Sequence, residues 1–203
     1  MSTSPERPEL LTTGSTVVAA EHIVAWLKPV LEGDQPDQVK AIERHIGQFN
    51  TPQEVKTYMS DRGGCIRIAA LRIRNIRYQA GGTIGDVNWV AYVMAADSWG
   101  YARDARCEVL VGKLARRIAA RDAASGMKAE RAASAISADN IYSASLNELG
   151  VTMWAVTWEQ QFRLDENIDL STLPDFLRLG ATLQVNGGET SLEGVIDVRE
   201  PNP

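Results

Sequence analysis

The 203-residue sequence has only two cysteines and two histidines, and this scarcity removes several kinds of chemistry at once. Cys65 and Cys107 lie far apart with no C-x-x-C spacing, which argues against a zinc site or a disulfide framework and for two reduced, partly buried thiols. His22 and His45 both fall upstream of either cysteine, so a Cys–His dyad would have to be built by tertiary folding. The sequence has no G-x-G-x-x-G, P-loop, H-E-x-x-H or G-x-S-x-G pattern. Gly81-Gly82-Thr83-Ile84-Gly85 is glycine-rich, yet no helix is expected after it to hold an anion at its N-terminus. Glu159, Asp165, Glu166 and Asp169 are neighbours in sequence only, and a solvated strand end accounts for them more simply than acid/base catalysis. No apolar run reaches the ~20 residues of a membrane helix, and the first residues lack the basic start and apolar stretch of a signal peptide. The expectation is a chain made in the cytoplasm, without membrane partner, cofactor, metal or catalytic site.

What the sequence does carry is an uneven distribution of charge. A net charge of −5 conceals a balance of +7 over Arg62–Arg121, flanked by −4 over Met1–Asp61 and −8 over Asp122–Pro203. A basic middle between acidic ends suits nucleic acid, and it suits identical subunits that meet plus against minus. The second option needs no further partner.

Three regions follow from patterning: a flexible N-terminal arm over 1–16, an α+β domain over 17–164 and a C-terminal extension over 165–203. Val17–Leu31 places Val17, Ala20, Ile23, Val24, Leu27 and Leu31 on one helical face, with Gly33 as its stop and Pro29 distorting the last turn. His22 and Trp26, four apart on this helix, read as a packing pair with a polar handle. Pro36–Ile46 reads as a second helix on the spacing of Val39, Ile42 and Ile46, with His45 beside that stripe facing solvent or capping the end. Thr51-Pro52-Gln53-Glu54 is a helix start, with Thr as N-cap, Pro first and Glu three after the cap.

Cys65–Tyr78 alternates apolar residues with arginines, and its phase slips across Ala69-Ala70, the mark of a bulge. Gln79–Asp86 reads as a flexible loop, and Val87–Ala96 as a nearly all-apolar central strand. Trp99 to about Arg121 predicts a long helix capped by Asp97-Ser98, burying Tyr101, Ala105, Val109 or Leu110, Leu114 and Ile118. Asp122–Ala138 reads as a loop or weak helix. Asn140–Leu146 and Val151–Arg163 then predict a strand pair joined by Asn147–Gly150, with a short helix over Thr172–Leu179 and a small hairpin bracketing Asn186-Gly187-Gly188 to follow. The simplest architecture is α+β: a mainly antiparallel four-stranded sheet flanked by helices, with a small C-terminal hairpin extension.

Two features select candidate functional residues. Val151–Arg163 has two largely apolar sides, Thr152, Trp154, Val156 and Trp158 on one, and Val151, Met153, Ala155 and Thr157 on the other. Such a strand needs cover on both sides, from its own helices or from another subunit. Arg67, Arg72, Arg74 and Arg77 form a series able to grip phosphates or the carboxylates of a neighbouring subunit. The aromatic interleaving of a single-strand binder is thin, with only Tyr78 nearby. Arg67, Arg72, Arg74, Arg77, Arg103, Trp154, Trp158 and Glu159 are the candidate subunit-interface or lumen residues.

Three segments resemble a known family. Asp97-Ser98-Trp99-Gly100-Tyr101-Ala102-Arg103, Ala138-Asp139-Asn140-Ile141-Tyr142-Ser143 and Gly150–Trp158 (GVTMWAVTW) are similar to the tail terminator family of Mu-like phages and prophages. The likeness covers roughly Val17–Leu164. It implies a non-enzymatic virion protein that assembles as a hexameric ring on the head-proximal end of the tail. There the ring would stop tube polymerisation and meet the head-completion proteins. Implied partners are further copies of the chain, the tail tube and sheath proteins, and the head-completion (connector) protein, with DNA passing through the lumen without sequence-specific binding. The alternatives are another neck or minor tail protein, a small DNA-binding module using Arg62–Arg121, and a cysteine-dependent enzyme.

Overall fold

A computed structural model describes residues 10–49, 51–59, 63–141, 143–165, 178–184 and 191–197. The chain divides into two compact units, residues 1–166 and 167–203. The first is an α+β unit built on a five-stranded mixed sheet flanked by helices, its strands in the order β1 (Ala41–Arg44), β2 (Cys65–Gln79), β3 (Gly82–Ala96), β5 (Val151–Arg163) and β4 (Ser134–Asn140). The second contains β6 (Arg178–Gln184) and β7 (Ser191–Asp197), an antiparallel pair. The helix expected over 172–179 lies outside the described residues, except that Arg178 and Leu179 open β6.

Helix α1 (Thr16–Leu31) forms where expected, with the Ser15 hydroxyl accepting from the Val17 N–H and Ala19, Ala20, Ile23, Leu27 and Leu31 buried. The helix expected over 36–46 does not exist. Val39 bridges back to Glu32, and β1 (Ala41–Arg44) runs parallel to the start of β2. Val39 and Ile42 are buried while Ile46 is exposed, so their helical spacing was coincidental. The backbone groups of β2 outbid a short helix whose propensity is weak. His45 is accordingly not a solvent-facing residue: it is buried, stacked 4.3 Å from Phe49 with Tyr58 edge-on at 4.8 Å. Helix α2 (Pro52–Tyr58) starts as the sequence predicts, with Thr51 Oγ1 accepting from the Glu54 N–H.

Strands β2 (Cys65–Gln79) and β3 (Gly82–Ala96) are long and antiparallel. The expected loop over 79–86 shrinks to Ala80-Gly81, both with positive φ (50° and 76°), the conformation that twists a two-residue turn to match its strands. Strand β3 is central, paired on one side with β2 and on the other with β5 (Val151–Arg163). Helix α3 is shorter than expected, Arg103–Ile118, and Asp97 helps its start by accepting from the Arg103 N–H. Leu110, Leu114 and Ile118 are buried as expected; Tyr101, Ala105 and Val109 are exposed, and Arg106, Cys107 and Val111 complete the buried stripe.

After the short turn α4 (Ala123–Gly126), β4 (Ser134–Asn140) pairs with β5. The expected strand over 140–146 is displaced toward the N-terminus, because Ser143 caps α5 (Ala144–Glu148) by accepting from the Leu146 N–H. The sheet therefore has five strands and one parallel pair, not four mainly antiparallel ones.

Both sides of β5 are covered from within the chain. Val156, Trp158 and Phe162 join the larger core under α1 and α3, while Val151, Met153 and Ala155 join a smaller one with Val55 of α2 and Leu146 of α5. No neighbour is needed there.

Candidate functional site

Among the described residues, the longest exposed stretch of the sheet is the far half of β2, in the arm that β2 forms with β3. Strand β1 covers the edge of β2 only from Cys65 to Ile68, and from Leu71 to Gln79 every residue of β2 is exposed. Two irregularities shape this arm. One register shift between Ala70 and Arg72 matches the phase slip visible in the sequence; a second lies between Arg74 and Arg77, where Asn75 has φ 51°. Each adds one residue, and together they keep all four arginines in step. Arg67, Arg72, Arg74 and Arg77 lie opposite Tyr92, Asn88, Asp86 and Ile84, alternate residues of β3 that share one side of the sheet. Ile73 and Tyr78 lie opposite Val87 and Thr83, on the other side. Ile73, Ile76 and Leu164 close over Gly85, where a Cβ would come within 2.9 Å of Ile73 and 2.7 Å of Leu164. Glycine at 85 is what lets them lie flat.

The arm thus has a charged side and an apolar one. On the charged side Arg74 pairs with Glu159 of β5, and Arg77 lies 3.8 Å from Asp86. Asp86 also accepts from Asn75 Nδ2 (2.9 Å) and Gln161 Nε2 (2.8 Å), and these bonds, then the nearby Arg77 and Arg131, hold its carboxyl below the usual range. Arg77, Arg131, Asp86, Glu159 and Gln161 line a polar depression of about 200 Å³. Arg72 has no ion-pair partner among the described residues. On the apolar side Leu71, Ile73, Ile76 and Tyr78 are 39%, 38%, 61% and 77% exposed.

The remaining candidates fall elsewhere. Arg67 is buried: it pairs with Glu43, donates from Nη2 to the Tyr58 carbonyl (3.3 Å) and stacks over the Tyr58 ring. Trp158, 1% exposed, stacks on Trp89 in the core, so it offers no surface to a subunit or a lumen. Trp154 is half-buried and packs against the same core. Arg103 clamps Asp97 (3.2 Å) and Asn147 (2.6 Å), joining the start of α3 to α5. The fold therefore brings Arg72, Arg74, Arg77 and Glu159 together and separates them from Arg67, Arg103, Trp154 and Trp158. Sequence reading missed the apolar side of the arm, because Ile76 and Tyr78 adjoin what looked like a loop.

Cys65 and Cys107 are both buried, and burial pushes both thiols up, Cys107 to about 12. Among the described residues no His, Cys, Asp or Glu cluster could hold a metal ion, and no helix is long and apolar enough to cross a membrane. The fold and this surface define a helix-flanked α+β sheet protein whose strand β2 keeps an open edge from Leu71 to Gln79. No protein-family model matches the sequence, and no curated protein matches it either.

Proposed function

We propose that this chain is a structural virion protein of the tail–neck junction, a ring of identical subunits that caps the head-proximal end of a phage tail. The ring stops the tube from growing and presents the head-completion proteins with their docking surface. The observation that carries the reading is the arm: a long hairpin with an open edge, an apolar side and a charged side. A lone subunit cannot leave such an edge and apolar side bare without inviting association. Coverage by the next subunit resolves this, and distinct surfaces meeting head to tail close into rings when the rotation permits. The sequence likeness to tail terminators supplies the particular ring.

A nucleic-acid module is the second reading, favoured by the arginines sharing one side of the sheet. Glu159 and Asp86 occupy two of the three exposed ones, which weakens it. Electron microscopy of the purified chain, alone and mixed with isolated tails, tests the proposal. Rings on the head-proximal tail end are the expected result; tails left bare at that end would overturn it. DNA binding that collapses with salt, without rings, would favour the second reading.

A further inference from the structure

The sheet has two open edges that match each other. Among the described strands β4 pairs only with β5, so its outer side is free along Ser134–Asn140, as that of β2 is from Leu71 to Gln79. On β2, Arg72, Arg74 and Arg77 share one side of the sheet, spaced two and then three by the shift between Arg74 and Arg77. On β4, Asp139, Ser137 and Ser134 lie opposite Ala155, Thr157 and Glu159, which lie opposite Tyr92, Val90 and Asn88 of β3. These three are therefore on the arginine side as well. The shift between Ser134 and Ser137 spaces them two and then three, running the other way.

The free backbone groups agree with that spacing. The Thr83 carbonyl accepts from the Leu164 N–H, so odd-numbered residues of β3 bond to β5 and the even-numbered Ile84, Asp86 and Asn88 bond to β2. Arg72 and Arg74 thus bond inward, and Ile73 between them directs its N–H and C=O out of the edge. The Ile141 N–H donates to the Met153 carbonyl, so Asp139 and Ser137 also bond inward and Ala138 faces out. An antiparallel ladder pairing Ile73 with Ala138 then sets Arg72 against Asp139, Arg74 against Ser137 and Arg77 against Ser134. Bulge meets bulge, and the two sides of the sheet stay in step.

Charge selects this pairing over its rivals. Arg72 and Asp139 are both exposed, and neither has an ion-pair partner among the described residues. Two β2 edges joined through Ile73 would set Arg72 against Arg74, a repulsive cross-strand contact. Two β4 edges would gain no ion pair. One copy cannot make the ladder alone, because β3 and β5 separate its two edges by three strand spacings of roughly 4.8 Å each.

We infer that β4 of one copy adds to the open edge of β2 of the next, Asp139 pairing with Arg72, so that the sheets join into one antiparallel wall. Because β2 and β4 run in opposite directions within the sheet, the alternation continues across the join. Each copy gives one edge and receives on the other, the kind of contact that closes rings. Ser134 is level with Arg72 in its own sheet and with Arg77 of the next copy, a stagger that tilted strands absorb on closing. The inference rests on the ring reading above and names the edges that build the ring.

Disulfide trapping in the full chain tests it. In a non-hydrogen-bonded antiparallel pair the Cα atoms lie about 4.5 Å apart, within reach of a disulfide. Arg72→Cys and Asp139→Cys are made singly and together; both positions are exposed, whereas Cys65 and Cys107 are buried. Under mild oxidation a mixture of the two single variants is expected to give a covalent dimer and nothing larger. The double variant is expected to give a ladder ending at the size of the parent oligomer. A mixture without covalent dimer would overturn the contact, and so would covalent dimers from either single variant alone. Charge exchange supplies the second arm: Arg72→Asp and Asp139→Arg are each expected to raise the concentration for half assembly about tenfold in native mass spectrometry. The double exchange is expected to restore it, and a double variant as weak as either single one would overturn the pairing. Microscopy of the same variants on isolated tails separates the two readings. Capped tails without cross-links would sink this ladder alone, and bare tails would sink the ring as well.

Discussion

Arg106 shows how far a single side chain can depart from what its residue type suggests. It belongs to a helix rich in arginine, yet it is 3% exposed and donates to the carbonyls of Pro36 (3.1 Å), Ala96 (2.7 Å) and Gly63 (3.1 Å). Those bonds tie three chain segments to α3, and the one sign of it in the sequence is spacing, because Arg106 lies at intervals of four on the buried row of Leu110, Leu114 and Ile118. Cys107 beside it is equally enclosed, its Sγ 3.3 Å from the Val93 carbonyl. Because burial holds both thiols protonated, native protein is expected not to react with a thiol-specific disulfide reagent at neutral pH, and to release two equivalents only once unfolded; rapid native labelling of either cysteine would revive the cysteine-enzyme reading.

His45 offers a second residue-scale test. Burial, then the nearby Arg67, holds its pKa below the ordinary value near 6.5. As pH falls through about 6.5 the unfolded chain takes up a proton that folded His45 refuses, so stability declines until the folded pKa is passed. His22, also lowered by burial, acts in the same direction. Asp37 and Asp86, both lowered, contribute stability that is lost only in more acid solution, below the ordinary 3.8. Melting temperature is thus expected to drop between neutral pH and pH 5, and His45→Phe, which keeps a ring against Phe49, is expected to flatten that drop. An unchanged slope in the variant would contradict the assignment.

Among the elements, those governed by local signals were legible and those governed by pairing were not. The face of α1, the Thr51-Pro52 start of α2, and the apolar run that makes β3 central all follow from neighbours in sequence. The bulge near Ala70 was readable for the same reason, as a slip in alternation. Residues 36–46 were misread because Val39 and Ile42 sit at helical spacing while their partners lie on Leu31 and β2. The site suffered likewise: its arginines were visible, but the apolar side of the arm became apparent only once Gly82–Asp86 proved to be strand. Ala80 there adopts φ 50°, which suits Asn or Gly better than Ala. Ala80→Asn is expected to stabilise the hairpin by about 0.5–1 kcal/mol, read from denaturant unfolding; a destabilised variant would mean that the turn is not of this form.

At the scale of the whole molecule, the core gives no reason for assembly, because both sides of β5 are sealed from within. Under the proposed ring, the reason lies at the periphery, where β2 keeps an uncovered edge and exposed apolar residues between Leu71 and Gln79. Charge follows the same division, a basic middle of the sequence between acidic ends. On that proposal, the subunit finishes its fold alone and its surface in company. Native mass spectrometry of the full chain over a dilution series asks whether it does. A closed oligomer of defined size, a hexamer under the tail-terminator reading, is the expected species; a monomer at every concentration would contradict self-assembly through these surfaces.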